Sequence, residues 1–269
     1  MNILLPTDFS DNSRNAAAYA LQFFKDTPCD FHLLHVVPIP SPDLVTGNMR
    51  MSPIVKKHFD KLLTWLENIK TNPGHHFHIC FKADYLIDAV RAKVHEKKID
   101  LILMGTKGKT NNEGVVIGKN TSDVMMKVKC PVLAISENAV FKQHKQILFP
   151  TDYNIKYGSK MLRTLLNLAS LSKANVRILE IFNTEKEPSE EQIINREFLQ
   201  SSFSPRIPVL QTYYSSKEPN PKKIFMANRN VDMIVLAAKN LNLCQRFLQN
   251  EEDKNIPFIN QLPLLVLHG

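Results

Sequence analysis

Gly105-Thr-Lys-Gly108 is followed, after nine residues, by Gly118-Lys-Asn-Thr121. Glycines lack a Cβ, so their backbone N–H groups can come close to an anion. A helix opening at this point adds unpaired N–H groups and the positive end of its dipole. Lys119 contributes a charge and Thr121 a hydroxyl, and the chemistry of the set is phosphate binding. A surface turn explains the glycines alone equally well. The stretch is not a P-loop: Gly114-Val-Val-Ile-Gly118-Lys-Asn-Thr121 has three residues where that motif needs four, and Asn120 follows the lysine where Ser or Thr is required.

The other reactive residue types are dispersed. Asp8 follows an apolar run, where a carboxylate serves as a general base, a helix cap or a ligand acceptor. No partner base, nucleophile motif or metal cluster accompanies it, so no catalytic residue and no metal ligand is assigned. Alternation along the predicted strand separates His76 and His78 from His75 by face, and the three read as a polar strand entrance. His35, inside an apolar run, reads as a satisfied core histidine. Cys29, Cys80, Cys130 and Cys244 form no Cys-x-x-Cys or Cys/His cluster and read as buried reduced thiols. The formal charge of +8 is spread over both halves among many carboxylates, which argues against nucleic acid as a partner. With 43% hydrophobic and 22% charged residues the chain can bury a sizeable core. It shows neither an apolar run near the ~20 residues of a membrane span nor a leader peptide, so no membrane partner and a cytoplasmic location are expected.

The elements that must position these residues come in two copies. Ile3-Leu-Leu-Pro-Thr-Asp-Phe-Ser10 returns as Ile147-Leu-Phe-Pro-Thr-Asp-Tyr-Asn154, Ile99–Met104 as 231–236, and Cys130–Ile135 as 262–267. The second copy is shorter by about a dozen residues between its first and fourth strands. The division gives domains 1–140 and 141–269. In the first copy, apolar runs at 2–5, 31–37, 76–81, 101–104 and 132–135 alternate with helical patterns at 13–24, 54–69, 85–95 and 121–128. This order predicts two tandem five-stranded, doubly wound parallel sheets with helices on both faces, an α/β, Rossmann-like class. Such sheets bind ligands at the carboxyl ends of their strands where the strand order reverses. The loops after strands one and four therefore matter most: Pro6, Thr7 and Asp8 in one, and Gly105, Thr106, Lys107 and Gly108, directly after Met104, in the other. Residues 38–52 form a long loop above the same ends, and 182–204 read as a solvated helical region of the second copy.

Taken together these features resemble the universal stress protein family, whose fold is of the adenine nucleotide alpha hydrolase type. Its pattern of Gly, two residues, Gly, nine residues, Gly fits Gly105, Gly108 and Gly118, and the opening Pro-Thr-Asp, Leu34-His-Val36 and the closing Cys-Pro-Val-Leu-Ala-Ile agree with it. The resemblance implies ATP, or a related adenine nucleotide with its magnesium, as ligand. Asp8 would face the adenosine, the Val36 backbone the adenine and Gly105 the ribose, while Gly108 and Gly118 would offer N–H groups to the phosphates. Pro6, Thr7, Met104, Thr106, Asn120 and Thr121 complete the expected site. The position after Gly118 is Ser or Thr in the family and Lys119 here, with Asn120 and Thr121 able to replace its polar contacts. In the second copy Ala237-Ala-Lys-Asn240 replaces the glycine loop and Glu251-Glu-Asp-Lys254 the later one, so its site is expected to be lost. An internal pseudo-dimer through the last strands is implied, with homodimers as the family's alternative. The expected role is that of a stress-response sensor or regulator with little or no turnover. The rivals are a nucleotide-independent interaction module with a decayed site, and a transferase or ligase, whose Ser-Gly-Gly and His-x-Gly-His motifs are absent.

Overall fold

A computed structural model of the chain describes residues 1–39, 50–107, 117–183, 187–203, 209–215, 230–248 and 262–269. These residues fall into two compact units, Met1–Phe141 and Lys142–Gly269. Gly108, most of the long loop at 38–52, and Glu251–Lys254 lie outside the described residues. Among those described, no helix is long and apolar enough to cross a membrane.

Unit one runs β1 (Asn2–Pro6), α1 (Asp11–Phe23), β2 (Cys29–Val37), α2 (Pro53–Ile69), β3 (His75–Ala83), α3 (Leu86–Glu96), β4 (Leu101–Gly105), α4 (Lys119–Lys127) and β5 (Val132–Ile135). Its strands pair in parallel in the order β3-β2-β1-β4-β5. Ile3–Leu5, Leu101–Met104 and Val132–Ile135 are buried without interruption, because a parallel strand between two helical layers has no solvent face. Ser10 caps α1 by accepting the Ser13 N–H, and the buried Ala16, Ala17 and Ala20 let α1 lie close to β4 and β5. The chain leaves β1 for β2 on one side and returns to β4 on the other, so the order reverses at β1.

One histidine expectation needs correction here. The strand begins at His75, which is fully buried with Nε2 3.1 Å from the Phe24 carbonyl and 3.2 Å from that of Thr27. It is a core residue that ties β3 to the end of α1, and only His76 and His78 belong to a polar strand entrance. All four cysteines are buried and free, and burial pushes the Cys29 thiol up to about 11 and that of Cys244 to about 12. The Cys29 and Cys244 thiols are therefore protonated at neutral pH.

Unit two runs β6 (Gln146–Thr151), α5 (Ser159–Leu171), β7 (Asn175–Asn183), α6 (Glu190–Ser201), β8 (Val209–Ser215), β9 (Met233–Ala237), α7 (Leu241–Leu248) and β10 (Leu264–Leu267). The parallel order β10-β9-β6-β7-β8 repeats that of unit one. The described part of 182–204, namely 182–183 and 187–203, is more than a solvated helix. β7 extends through Asn183, and α6 starts with a reciprocal Ser189–Gln192 capping box and turns a polar face inward. There, Glu180 of β7 is buried and accepts from Arg196 (2.7 and 3.2 Å), Tyr153 Oη (2.8 Å) and Thr212 Oγ1 (3.0 Å). Burial alone would raise the Glu180 pKa, but the bonds from Arg196, Tyr153 and Thr212 outweigh it and hold the carboxyl below its ordinary value. This network pins α6 across β7 and β8. A depressed carboxylate stabilises the fold above its unfolded pKa, and that stabilisation is lost as pH falls through the folded value. Arg196→Met should therefore cost about 3 kcal/mol in urea unfolding at pH 7, since it strands a buried charge while the arginine itself is half exposed. The cost should shrink as pH falls through the acid range. An unchanged urea midpoint would show that the pair does not hold α6.

Candidate functional site

A cavity of ≈ 630 Å³ opens at the carboxyl ends of β1 to β4, beside the first turn of α4. Its wall on the β1 side is a turn built by short-range hydrogen bonds. The Phe9 N–H donates to Thr7 Oγ1 (3.0 Å), which also meets Ser13 Oγ (3.0 Å), and Thr7 N–H donates to the Leu34 carbonyl (2.8 Å). Asp8 Oδ1 accepts from Ser10 N–H (3.0 Å) and Ser10 Oγ (2.5 Å). The turn forces Phe9 to φ 63°, a left-handed conformation unfavourable for an aromatic residue. Phe9 is held there by packing on His35 (4.5 Å), His58 (5.1 Å) and Phe59 (5.0 Å). His35 Nδ1 lies 2.8 Å from the Thr7 carbonyl oxygen, which fixes the ring at the cavity wall.

On the opposite side, Gly105 ends β4 against Asn12. A Cβ at Gly105 would stand 2.8 Å from Asn12 Cγ, so glycine is needed for this close approach. Asn12 Nδ2 in turn donates to the Lys107 carbonyl (2.9 Å). Two bonds staple α4 onto β4: Gly118 N–H to the Thr106 carbonyl (2.7 Å) and Thr121 Oγ1 to the Gly105 carbonyl (2.8 Å). Gly118 is the N-cap of α4 and carries no capping side chain. The first intrahelical bond is Ser122 N–H to the Gly118 carbonyl, so the N–H groups of Lys119, Asn120 and Thr121 form an uncapped first turn. Lys119 and Asn120 are exposed beside it and line the cavity.

The fold brings together Pro6, Thr7, Asp8, Val36, Met104, Gly105, Gly118, Lys119, Asn120 and Thr121, all of which line the cavity. Three expected roles change. Thr106 is buried outside the lining and serves through its backbone, with its N–H on Ile135 and its carbonyl on Gly118. The Gly118 N–H is spent on that carbonyl, so the donors for an anion move one turn position onward, to residues 119–121. The α4 helix also begins at Lys119, two residues earlier than its apolar pattern predicts, because the pattern registers only once Thr121 and Val124 are buried. His35, expected in the core, stands in the cavity wall.

Sequence reasoning missed Asp84 and Tyr85, which line the cavity between β3 and α3. Asp84 Oδ1 accepts the Tyr85 N–H (2.7 Å), leaving the ring 57% exposed at the mouth. Their signal was their place at the end of a strand next to the order reversal. The cavity is thus polarised, with Asp8 and Asp84 as carboxylates and Lys107 and Lys119 as ammonium groups near α4.

At the matching end of unit two the described side chains bond to one another. Tyr153 repeats the left-handed turn of Phe9, with φ 60° and its N–H on Thr151 Oγ1 (3.1 Å), but its ring is fully buried and bonded to Glu180. Buried Tyr157 meets Thr151 through its hydroxyl, as Ser13 meets Thr7. Asn240 donates to Asp152 Oδ1 (2.6 Å), occupying the carboxylate that repeats Asp8.

A profile of the universal stress protein family matches residues 1–136. A universal stress protein of Methanocaldococcus jannaschii is 28% identical over 139 residues, 50% of this chain and 81% of that protein. Among solved structures, a universal stress protein from Archaeoglobus fulgidus has a TM-score of 0.63 at 16% identity, covering 99% of this chain and 96% of the other. A putative universal stress protein from Pseudomonas aeruginosa gives 0.56 at 15% identity, covering 99% and 92%. These two structural likenesses concern the fold.

The Gly105 contact makes a direct test. Gly105→Ala should destabilise unit one by about 1–3 kcal/mol through overpacking against Asn12. Adding Asn12→Ala should recover part of that loss in a double-mutant cycle read by urea unfolding. Strict additivity of the two changes would show that they do not share the contact.

Proposed function

The chain belongs to the universal stress protein family, and on that premise we propose that its first unit binds ATP or a related adenine nucleotide and acts in the stress response as a sensor or regulator with little or no turnover. The observation that carries this reading is the uncapped first turn of α4, stapled by Gly118 and Thr121 to the end of β4 and opening on a cavity large enough for a nucleotide. Three unpaired N–H groups, the helix dipole and the Lys119 ammonium converge on one place, which suits a phosphate chain. Its magnesium would travel with the phosphates. The adenosine end then falls toward Asp8, His35 and the Val36 backbone, the less basic part of the cavity.

Slow or absent turnover fits the way the proton-carrying groups are engaged. The Thr121 hydroxyl is on Gly105, Asp8 holds Ser10, and His35 Nδ1 is tied to Thr7. Each positions the site, and none is set to activate a water. Occupancy is the natural signal, because a ligand at the first turn of α4 satisfies donors that otherwise face solvent. In this reading the second unit does not bind nucleotide, since Tyr153, Tyr157 and Asn240 already occupy the corresponding groups.

Calorimetric titration of the whole chain with ATP and magnesium should reveal one site. Asp8→Ala should weaken it by roughly tenfold or more through loss of a charged acceptor. Gly118→Asp should abolish it: aspartate is a good N-cap, so the helix survives while the added carboxylate takes the donors and repels phosphate. A wild-type chain silent toward ATP, ADP and cyclic nucleotides would overturn the proposal. If Lys119→Ser then restored binding, Lys119 would mark a decayed site in a nucleotide-independent interaction module.

A further inference from the structure

At the other end of unit one, where α3 and α4 finish and β4 and β5 begin, lies a second cavity of ≈ 650 Å³. Arg91, His95, Lys98, Lys127 and Lys129 line it together with Val94 and Val128. Four of its seven residues are Lys or Arg, against 34 of 269 in the chain, so it is richer in basic residues than the chain as a whole.

Some of that charge has a structural use. Arg91 donates from Nε (3.2 Å) and Nη2 (2.8 Å) to the Lys127 carbonyl at the end of α4. Its Nη1 lies 3.6 Å from Asp88, and Lys127 pairs with Asp123 at 2.7 Å. Two of the five N–H groups of the guanidinium are thus fixed, and the rest are held at the cavity wall with little rotamer freedom left to lose. Among the described residues Lys98 and Lys129 enter no ion pair with a carboxylate. Lys98 also stands just past the C-cap of α3 at φ 47°, a position where glycine is the easier residue. Its side chain therefore sits at the cavity against the local backbone preference.

We propose that this basic cavity is a second anion site, taking a compact ligand with several phosphate charges. A concave site of this volume with two valines in its wall suits a small polyanion better than an extended duplex. Arg91 offers oriented donors, and Lys98 and Lys129 offer mobile ammonium groups that close on the ligand.

The test titrates the whole chain with inorganic tripolyphosphate in wild type, in Lys119→Glu, and in a Lys98→Gly, Lys129→Ala variant. Lys119→Glu, which alters only the first cavity, should leave a tripolyphosphate site. The double variant should weaken that site by roughly tenfold or more, while its urea midpoint stays level or rises because glycine suits position 98. Tripolyphosphate and ATP run side by side on the Lys119→Glu chain separate a free polyphosphate from the phosphate chain of a nucleotide, and tight binding of either that is weakened when Lys98→Gly and Lys129→Ala are added supports the site, whereas tight binding that those changes leave untouched overturns it. Binding lost in Lys119→Glu and untouched by the double variant would overturn the proposal, as would no binding at all. A 20-base-pair duplex that bound wild type more tightly than tripolyphosphate and lost its hold in the double variant would reassign the cavity to nucleic acid.

Discussion

A parallel strand cannot return to its neighbour by a tight turn; it must cross over through a helix. Both faces of the sheet are then covered, and the polar chemistry of the chain is forced to the strand ends. In unit one this constraint decides where everything else lies. The buried runs of β1, β4 and β5 leave no room for a functional side chain, while the reversal of strand order at β1 holds open a crevice that no crossover fills. The Thr7–Ser10 turn, the end of β4 and the first turn of α4 all meet there. Their geometry is set by backbone hydrogen bonds more than by side chains: Thr7 on Leu34, Gly118 on Thr106, and Ser122 on Gly118.

The two copies show how the same scaffold can hold a site open or fill it. Both make the same left-handed turn after Pro-Thr-Asp, with the threonine hydroxyl accepting the aromatic residue's N–H. In unit one the aromatic residue is Phe9, packed on His35, and the neighbouring Ser13 is small. In unit two the corresponding residues are Tyr153 and Tyr157, and a glutamate in β7 takes the place of the histidine. A buried glutamate requires donors, and Tyr153, Thr212 and Arg196 supply them. The described groups that match a cavity wall in one unit thus form a hydrogen-bonded network in the other, and Asn240 engages Asp152.

Much of this was legible in the sequence because duplication prints the same landmarks twice, and because continuous apolar runs separated by helical spacing leave one plausible sheet. The β1 and β4 loops could be named as the walls of the crevice for the same reason. The finer roles were not legible. The Gly118 amide and the Thr106 carbonyl are twelve residues apart, and nothing in their types announces that one consumes the other. His75 and His76 differ in fate by one step of strand parity, which turns on where β3 starts. Asp84 and Tyr85 have no motif at all, and they matter only because β3 ends beside the crevice. His35 has the character of a core residue in sequence; only its position near the end of β2 brings it to the wall.

The central claim of the proposed function is that the uncapped first turn of α4, and not the corresponding end of unit two, receives the anionic part of the nucleotide. Backbone amide resonances of the isotope-labelled chain during ATP addition address it most directly. The account predicts saturable shifts at Lys119, Asn120 and Thr121 that reach their end point at one equivalent, with Tyr153 and Asn240 unmoved. Shifts centred on Tyr153 and Asn240, or none at residues 119–121, would contradict it.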